Sequence, residues 1–462
     1  MSGFAPTLFL CSLALQPSTS PNAPAASAAS TLRPLTCRTT EGTEIVFKEG
    51  QRRLSPVHTK GLVRLAQDGL CHIGEESAFG CFNGDGEKIL FRDAQGRTTS
   101  PLASKGAWTN SVHACVLDNK GAARCFFQGS GDALPFANEV GTVDVVGAES
   151  LAMGDDFVCA QRKNAAPALE CFSLPKVSPA GETPAKALRL TLTTDTGRRW
   201  NDVTLFSGGA EALGSHFCVV PDSTQKLSCF DATGKALTLK NAAGFPAPPL
   251  AQGGLFLGRR SVCALDAKGL ASCHALPTGE LLRFRNALDS PDSPPPARRI
   301  LMEDTSLCFL PRSESLNTFT CFVDGKRTPF FDTSGRLLSM SPPAAKGAQG
   351  DSAHVAQVAQ LAQHEGNLVC STSLKGSLAC FDVSTGKAIA FQNDGGFPTE
   401  VDASAHFALS THGICAVSKK SGKARCFRRS SESMAFKKGF GGRDPLDGIE
   451  RLWIVNERRN PL

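Results

Sequence analysis

Eighteen cysteines carry the chemistry that this 462-residue sequence repeats. The stretch HACVLDNKGAARCFF, 113 to 127, holds Cys115 and Cys125 with a glycine between them and an aromatic after the second. A zinc knuckle needs a much closer pair of thiols. A thioredoxin-type motif leaves only two residues between its cysteines. Two cysteines opposed on neighbouring strands satisfy the spacing instead, because directly opposed residues bring their Cβ atoms to roughly 4.5–5.5 Å, close to disulfide geometry.

The segment recurs. First cysteines stand at Cys71, Cys115, Cys159, Cys218, Cys263, Cys308, Cys370 and Cys415. Second cysteines stand at Cys81, Cys125, Cys171, Cys229, Cys273, Cys321, Cys380 and Cys426, so sixteen of the eighteen form eight matched pairs. The first cysteines are spaced by 44, 44, 59, 45, 45, 62 and 45 residues. A fixed period of this size marks a repeat protein. Within a unit, short β-prone runs alternate with turn residues such as Asp118-Asn119-Lys120-Gly121, which is a hairpin pattern. Further runs such as FNGDGEKILF, 82 to 91, and TVDVVGAESLAM, 142 to 153, bring the count to about four strands per unit, the size of one propeller blade. Strand alternation then places Phe82, Phe126, Phe172, Phe230, Phe322, Phe381 and Phe427 on the face opposite the cysteines, to pack unit on unit. His274 takes that place in one unit. The stretch AHVAQVAQLAQHEG, 353 to 366, is the one segment with a weak helical pattern.

Other chemical patterns are sparse. His364-Glu365 begins a zinc-protease pattern, but Leu368 stands where the second histidine belongs. There is no Gly-x-Ser-x-Gly elbow and no phosphate-binding Gly-Lys-Ser/Thr loop. Asp155-Asp156 is read as a solvated turn, since adjacent acids do chemistry only in a desolvating pocket. The histidines do not cluster at ligand spacing; His113, His216 and His412 recur beside first cysteines and mark repetition. No metal or cofactor is expected. One charged stretch stands out. KKSGKARCFRRSSESMAFKKGFGGR, 419 to 443, holds nine basic residues against Glu432 alone. Lys419, Lys420, Lys423, Arg425, Arg428, Arg429, Lys437 and Lys438 form a candidate patch for an anionic ligand, with a solvated surface as the plainer reading. Two long insertions follow Cys171 and Cys321, containing SPAGETPAKALRL and SMSPPAAKGAQGDS, and long loops on a rigid repeat are where binding is usually carried.

His113, Cys115, Leu117, Gly121 and Cys125 resemble the bacterial version of the regulator of chromosome condensation repeat, as do His216 with Cys218 and the run Val262, Cys263, Ala264, Leu265, Gly269 and Cys273. The family's tryptophan after the second cysteine is phenylalanine here, and its Gly-Gln-Leu-Gly tail is absent, with an echo only in Gly129, Gly131 and Leu134. The resemblance runs from about residue 37 to the end and implies a β-propeller. Its members include a nucleotide exchange factor, a secreted β-lactamase inhibitor and a plant light receptor, so it implies no one function. None of their functional residues maps onto this chain.

Eight regular pairs argue for an oxidising compartment, against the rival in which the cysteines are small buried hydrophobes kept reduced. Residues 7 to 15, TLFLCSLAL, read as a short signal-peptide core, with Ala26-Ser27-Ala28 before a cleavage site, although no basic residue precedes the run. Residues 1–30 are therefore assigned as signal peptide and Pro/Ala/Ser linker, and 31–462 as the repeat domain. A lipid-modified Cys11 is a second reading, set back by Leu10 before it. No stretch approaches the roughly 20 apolar residues of a membrane span. The net charge of +6 demands no nucleic-acid partner.

The ends suggest closure. Cys37 precedes Cys71 by the same 34 residues that separate Cys81 from Cys115, so Cys37 stands as a second cysteine. GIERLWIVNERRNPL, 448 to 462, resembles the strand before a first cysteine. The expectation is a closed all-β propeller of eight complete units plus one composite blade. With residues 1 to about 28 removed, Cys37 is left free; with Cys11 retained, LFLCSLAL supplies the missing strand and Cys11 pairs with Cys37. Cleavage is the expectation favoured here, on the need for export. The functional reading is a secreted or periplasmic binding scaffold for a protein or extracellular polymer. The alternative is a propeller enzyme acting on polysaccharide, which would need convergent carboxylates at the channel mouth; exchange factor for a small GTPase is disfavoured by export.

Overall fold

The structure is a computed structural model, and it describes residues 9–14, 33–39, 44–54, 57–59, 63–66, 69–162, 169–175, 186–194, 197, 200, 205–221, 224–311, 319–338, 362–372, 376–409, 413–434 and 449–455. The Cys115–Cys125 sheet shows the unit. Strands a (Gly106–Thr109), b (His113–Leu117), c (Ala123–Phe127) and d (Ala133–Leu134) form an antiparallel meander. The b–c turn is set by its sequence. Asp118 Oδ1 accepts the N–H groups of Lys120 (2.9 Å) and Ala122 (2.8 Å), and Gly121 takes φ +76°, a conformation with no steric cost only for glycine. That turn fixes the register, so Cys115 faces Cys125 with Cα atoms 4.0 Å apart and a disulfide between them.

The same b–c hairpin recurs through the chain. Among the described residues, nine disulfides tie nine such hairpins, each in its own sheet, and no cysteine is free. All sixteen cysteines of the eight serial pairs are joined as their spacing predicts. Four strands per unit is an overstatement for the sheets at Cys263, Cys370 and Cys415. There strand d shrinks to a single bridge, His274↔Leu281, Phe381↔Ala388 and Phe427↔Ser433, because the chain turns outward after one residue. Ala362–Glu365 is a strand, so the weak helical pattern fails at its end; residues 353–361 lie outside the described residues.

The ninth sheet joins both ends of the chain in the order Ile449–Val455, Phe9–Ala14, Arg33–Thr39, Val57–Thr59. Cys11 faces Trp453 on one side and Cys37 on the other, and Cys11–Cys37 is a disulfide. This is the pairing expected for a chain that keeps Cys11, and in that chain Cys37 is not free. The apolar run read as a signal core is an inner strand, and both cysteines are buried, at 1% and 2% exposure. A short apolar run satisfies either role in composition; the strand pairs on both of its edges.

Sequence repeats are joined by a device that is offset from the cysteines. After strand d comes an apolar residue, any residue, then a turn-capping one: Phe91-Arg92-Asp93, Leu239-Lys240-Asn241, Phe284-Arg285-Asn286, Phe330-Phe331-Asp332, Phe391-Gln392-Asn393. The apolar residue packs on the aromatic that follows the next unit's second cysteine. Phe47 meets Phe82, Phe91 meets Phe126, Phe136 meets Phe172, Phe284 meets Phe322, Phe330 meets Phe381 and Phe391 meets Phe427, with centroids 4.5–5.1 Å apart. The middle residue donates its N–H to a carbonyl in the next unit's c–d turn: Lys48 to Gly86, Arg92 to Gly131, Thr193 to Gly234, Lys240 to Gly279, Arg285 to Gly325, Phe331 to Gly386 and Gln392 to Ser431, at 2.8–3.1 Å. The third residue caps the outer turn, as Asp93 does for the N–H groups of Gln95 and Arg97 and Asn241 for those of Ala243 and Phe245. Each buried phenylalanine contributes about 2–3 kcal/mol, so the joints between units are apolar cores in their own right. The first strands of consecutive sheets lie side by side, and the cluster Cys11, Leu35, Cys37, Phe47, Val57, Leu70 and Phe82 packs the end-joining sheet on the Cys71–Cys81 sheet.

Candidate functional site

The basic segment folds as a b–c hairpin, strand Gly413–Val417, a turn, and strand Ala424–Arg428. The turn is anchored from outside. Ser418 Oγ donates to Asp402 Oδ2 at 2.6 Å, the Lys419 N–H donates to Ser404 Oγ at 2.9 Å, and the Ser421 N–H donates to Ser418 Oγ at 3.2 Å. Burial pushes the Asp402 carboxyl up, but the Ser404 and Ser418 hydroxyls, the Ser404 N–H and the charge of Lys420 outweigh it and hold the group below its usual range. Lys419, Lys420 and Lys423 are exposed around this tethered turn.

Contiguity in sequence is not contiguity in space here. Arg428 and Arg429 lie at the far end of strand c, roughly 16 Å from the turn at about 3.3 Å per residue. Arg429 reaches the a–b turn of the preceding sheet, where a Cβ added to Gly366 would lie 3.5 Å from its Nη1. Arg425, between the two ends, puts its guanidinium 5.5 Å from the Phe427 ring centroid and donates to Thr399 Oγ1 at 3.4 Å. Lys437 and Lys438 lie outside the described residues. The structure thus divides the candidate patch into a lysine turn at one end of the sheet and an arginine pair at the other. Sequence spacing could have shown this, since a hairpin sends the two ends of a ten-residue run in opposite directions.

The remaining candidates do not converge either. His113 and His216 each begin a strand b in different sheets, and His412 lies outside the described residues. His274 is buried and its Nδ1 lies 3.2 Å from Gly279 O in its own c–d turn, a packing position. The Asp155 N–H donates to Gly214 O at 2.6 Å and the Asp156 carbonyl accepts from Leu174 N at 2.7 Å, so this pair of acids forms a joint between strands and sheets. Among the described residues no group of three or more His, Cys, Asp or Glu could hold a metal, and no helix is long and apolar enough to cross a membrane. Of the insertion SPAGETPAKALRL, Ala187–Arg189 is a strand; SMSPPAAKGAQGDS lies outside the described residues.

No family model and no curated protein matches the chain. Three solved structures similar to it are the computationally designed Ika8 protein (13% identity, 79% of this chain and 95% of that one, TM-score 0.39), Prp20p from Saccharomyces cerevisiae (11%, 59% and 82%, 0.28) and BamB from Moraxella catarrhalis (13%, 62% and 74%, 0.28). At these TM-scores none of them assigns a fold or a function to this chain. The chain is an all-β protein of many small antiparallel sheets, stapled by nine disulfides.

Proposed function

We propose that the chain closes into a β-propeller of nine blades and serves, in an oxidising compartment outside the cytoplasm, as a rigid binding scaffold for a protein or an extracellular polymer. The observation that carries this reading is a buried disulfide in every repeat sheet. A chain kept reduced has no use for nine opposed thiol pairs at one register. Closure is supported by the sheet in which Ile449–Val455 pairs with Phe9–Ala14, so that the first strand of the chain is an inner strand covered on both edges. The resemblance to the chromosome-condensation repeat agrees with it. We propose further that residues 9–14 are retained, a reading supported by their pairing on both edges and by the Cys11–Cys37 disulfide.

Within the scaffold, the lysine turn of Lys419, Lys420 and Lys423 is the proposed contact for an anionic ligand. Each phosphate- or sulfate-like group it neutralises releases counterions, so binding weakens steeply with salt. The test is retention on immobilised dextran sulfate across a salt gradient. Lys419→Glu with Lys420→Glu and Lys423→Glu should elute at markedly lower salt than the parent, while Arg428→Glu with Arg429→Glu should elute near it. Equal retention of the lysine variant and the parent, with unchanged melting, would return the turn to a solvated surface. Oxidation and retention of the first strand are tested separately by the intact mass of native protein alkylated without reductant, where a chain retaining Cys11 and no alkylated thiol is expected.

A further inference from the structure

His113 sits at the seam between the Cys115–Cys125 sheet and the Cys159–Cys171 sheet. It is 1% exposed, and neither ring nitrogen makes a well-formed hydrogen bond, the Pro175 carbonyl being the acceptor beside the ring. From its own sheet it is faced by neutral groups. The Phe127 ring centroid lies 5.1 Å away, and Gln128 Nε2 donates to His113 O at 2.7 Å and Asn110 O at 3.0 Å. Gln128 Oε1 is also buried without a partner. From the next sheet come the a–b turn and the chain after strand c. Asn110 Nδ2 crosses the seam to donate to Gly154 O at 2.8 Å and Asp155 O at 3.1 Å. The Asp156 carboxylate and the Pro175 carbonyl lie near the ring, and Asp156 is the charged group that faces it among the described residues.

An imidazole buried this way is cut off from bulk solvent, and the nearby Pro175 carbonyl and Asp156 carboxylate only partly compensate a positive charge on it. We propose that His113 makes this one seam acid-labile: its ring takes a proton only when the two sheets part enough to hydrate it. Disulfides cannot resist that motion, because every one of them lies within a sheet and none crosses between sheets. Burial, partly offset by the Pro175 carbonyl and the Asp156 carboxylate, lowers the His113 pKa from 6.5 to about 4. A depressed histidine pKa means the parted state binds more protons, so the closed seam is fully favoured above about pH 6.5 and loses ground as pH falls toward 4.

The test is amide hydrogen exchange, corrected for intrinsic rates, on the full-length oxidised protein at pH 7.5 and 4.5. Residues 154–156 and 110–114 should lose protection by roughly 50- to 100-fold, the ratio that a histidine shifted from 6.5 to about 4 gives at pH 4.5. The equivalent turn of the Cys263–Cys273 sheet, Gly258–Ser261, carries no histidine and should keep its protection. His113→Gln should abolish most of the seam's acid response. Should that variant fold poorly, the His113 ring resonances of the unmodified protein decide: titration near 4 together with loss of seam protection supports the proposal. Titration above 6, or protonation with the seam still protected because Asp156 takes up the charge in place, overturns it.

Discussion

The end-joining sheet and the Cys115–Cys125 sheet have the same strand order and the same cross-strand disulfide, yet they hold the molecule together in different ways. In the second, strands a to d follow one another within 29 residues, and its disulfide spans a sequence separation of 10. In the first, strand a comes from residues 449–455 and strand b from residues 9–14, and the disulfide spans 26. The serial sheet is a local object that any stretch of the repeat can make. The end-joining sheet forms only when the two ends of the chain meet, so it couples segments far apart in sequence. The disulfide in the one reinforces a hairpin; in the other it ties the strand against which the last strand pairs.

Removing the closing strand is the severest way to break this comparison. A chain ending before Ile449 should expose the Phe9–Ala14 edge, lose cooperative melting and self-associate, as read by calorimetry and light scattering. A single sharp transition near the parent's would show the end-joining sheet to be an ornament. Cys11→Ala with Cys37→Ala comes next. The chain-entropy model gives about 3.5 kcal/mol for that disulfide, with its separation of 26, and about 2.7 kcal/mol for Cys115–Cys125, with its separation of 10, a modest difference. The pair at the ends should nonetheless broaden the unfolding transition, whereas Cys115→Ala with Cys125→Ala should shift it without broadening.

The smallest effect tests the joints between units. Gly386 holds φ +70° with its carbonyl accepting from Phe331, and a Cβ there would strike the Pro329 carbonyl. Gly386→Ala should cost about 2–3 kcal/mol in chemical denaturation, from both left-handed strain and the clash. Gly244, at φ +84° in an outer turn with nothing within 4 Å of its added Cβ, should cost about 1 kcal/mol on the same change. Equal costs would mean that the c–d turns do not bear on the neighbouring unit.

Much of the architecture could be read because cysteine spacing is a sparse and unambiguous signal. Eight pairs, the hairpin register and the buried place of Phe126, Phe172 and Phe427 follow from it and from strand alternation. The joints were harder. In Phe91-Arg92-Asp93 and Leu239-Lys240-Asn241 only a size class and a capping class are constant, and the partner lies in the next unit, about 35 to 40 residues on. The start of the chain was harder to read because a short apolar run fits a signal core and an inner strand equally well, and in the chain that keeps it Cys11 pairs with Cys37. The basic patch looked single because charge was counted along the chain, while Val417 and Ala424 close a hairpin that separates Lys419 from Arg428.

The forward contact made by each unit bears on where the protein can be cut and rejoined. A segment taken from one first cysteine to the next carries away its own outgoing aromatic and N–H but leaves behind those that its predecessor lends to it. The transplantable module therefore begins not at a cysteine but at the apolar residue that precedes each outer turn, such as Phe91 or Phe330. New termini for circular permutation belong inside the outer turn itself, for example between Gly244 and Phe245, where the chain is exposed and both partners of every joint remain on one polypeptide.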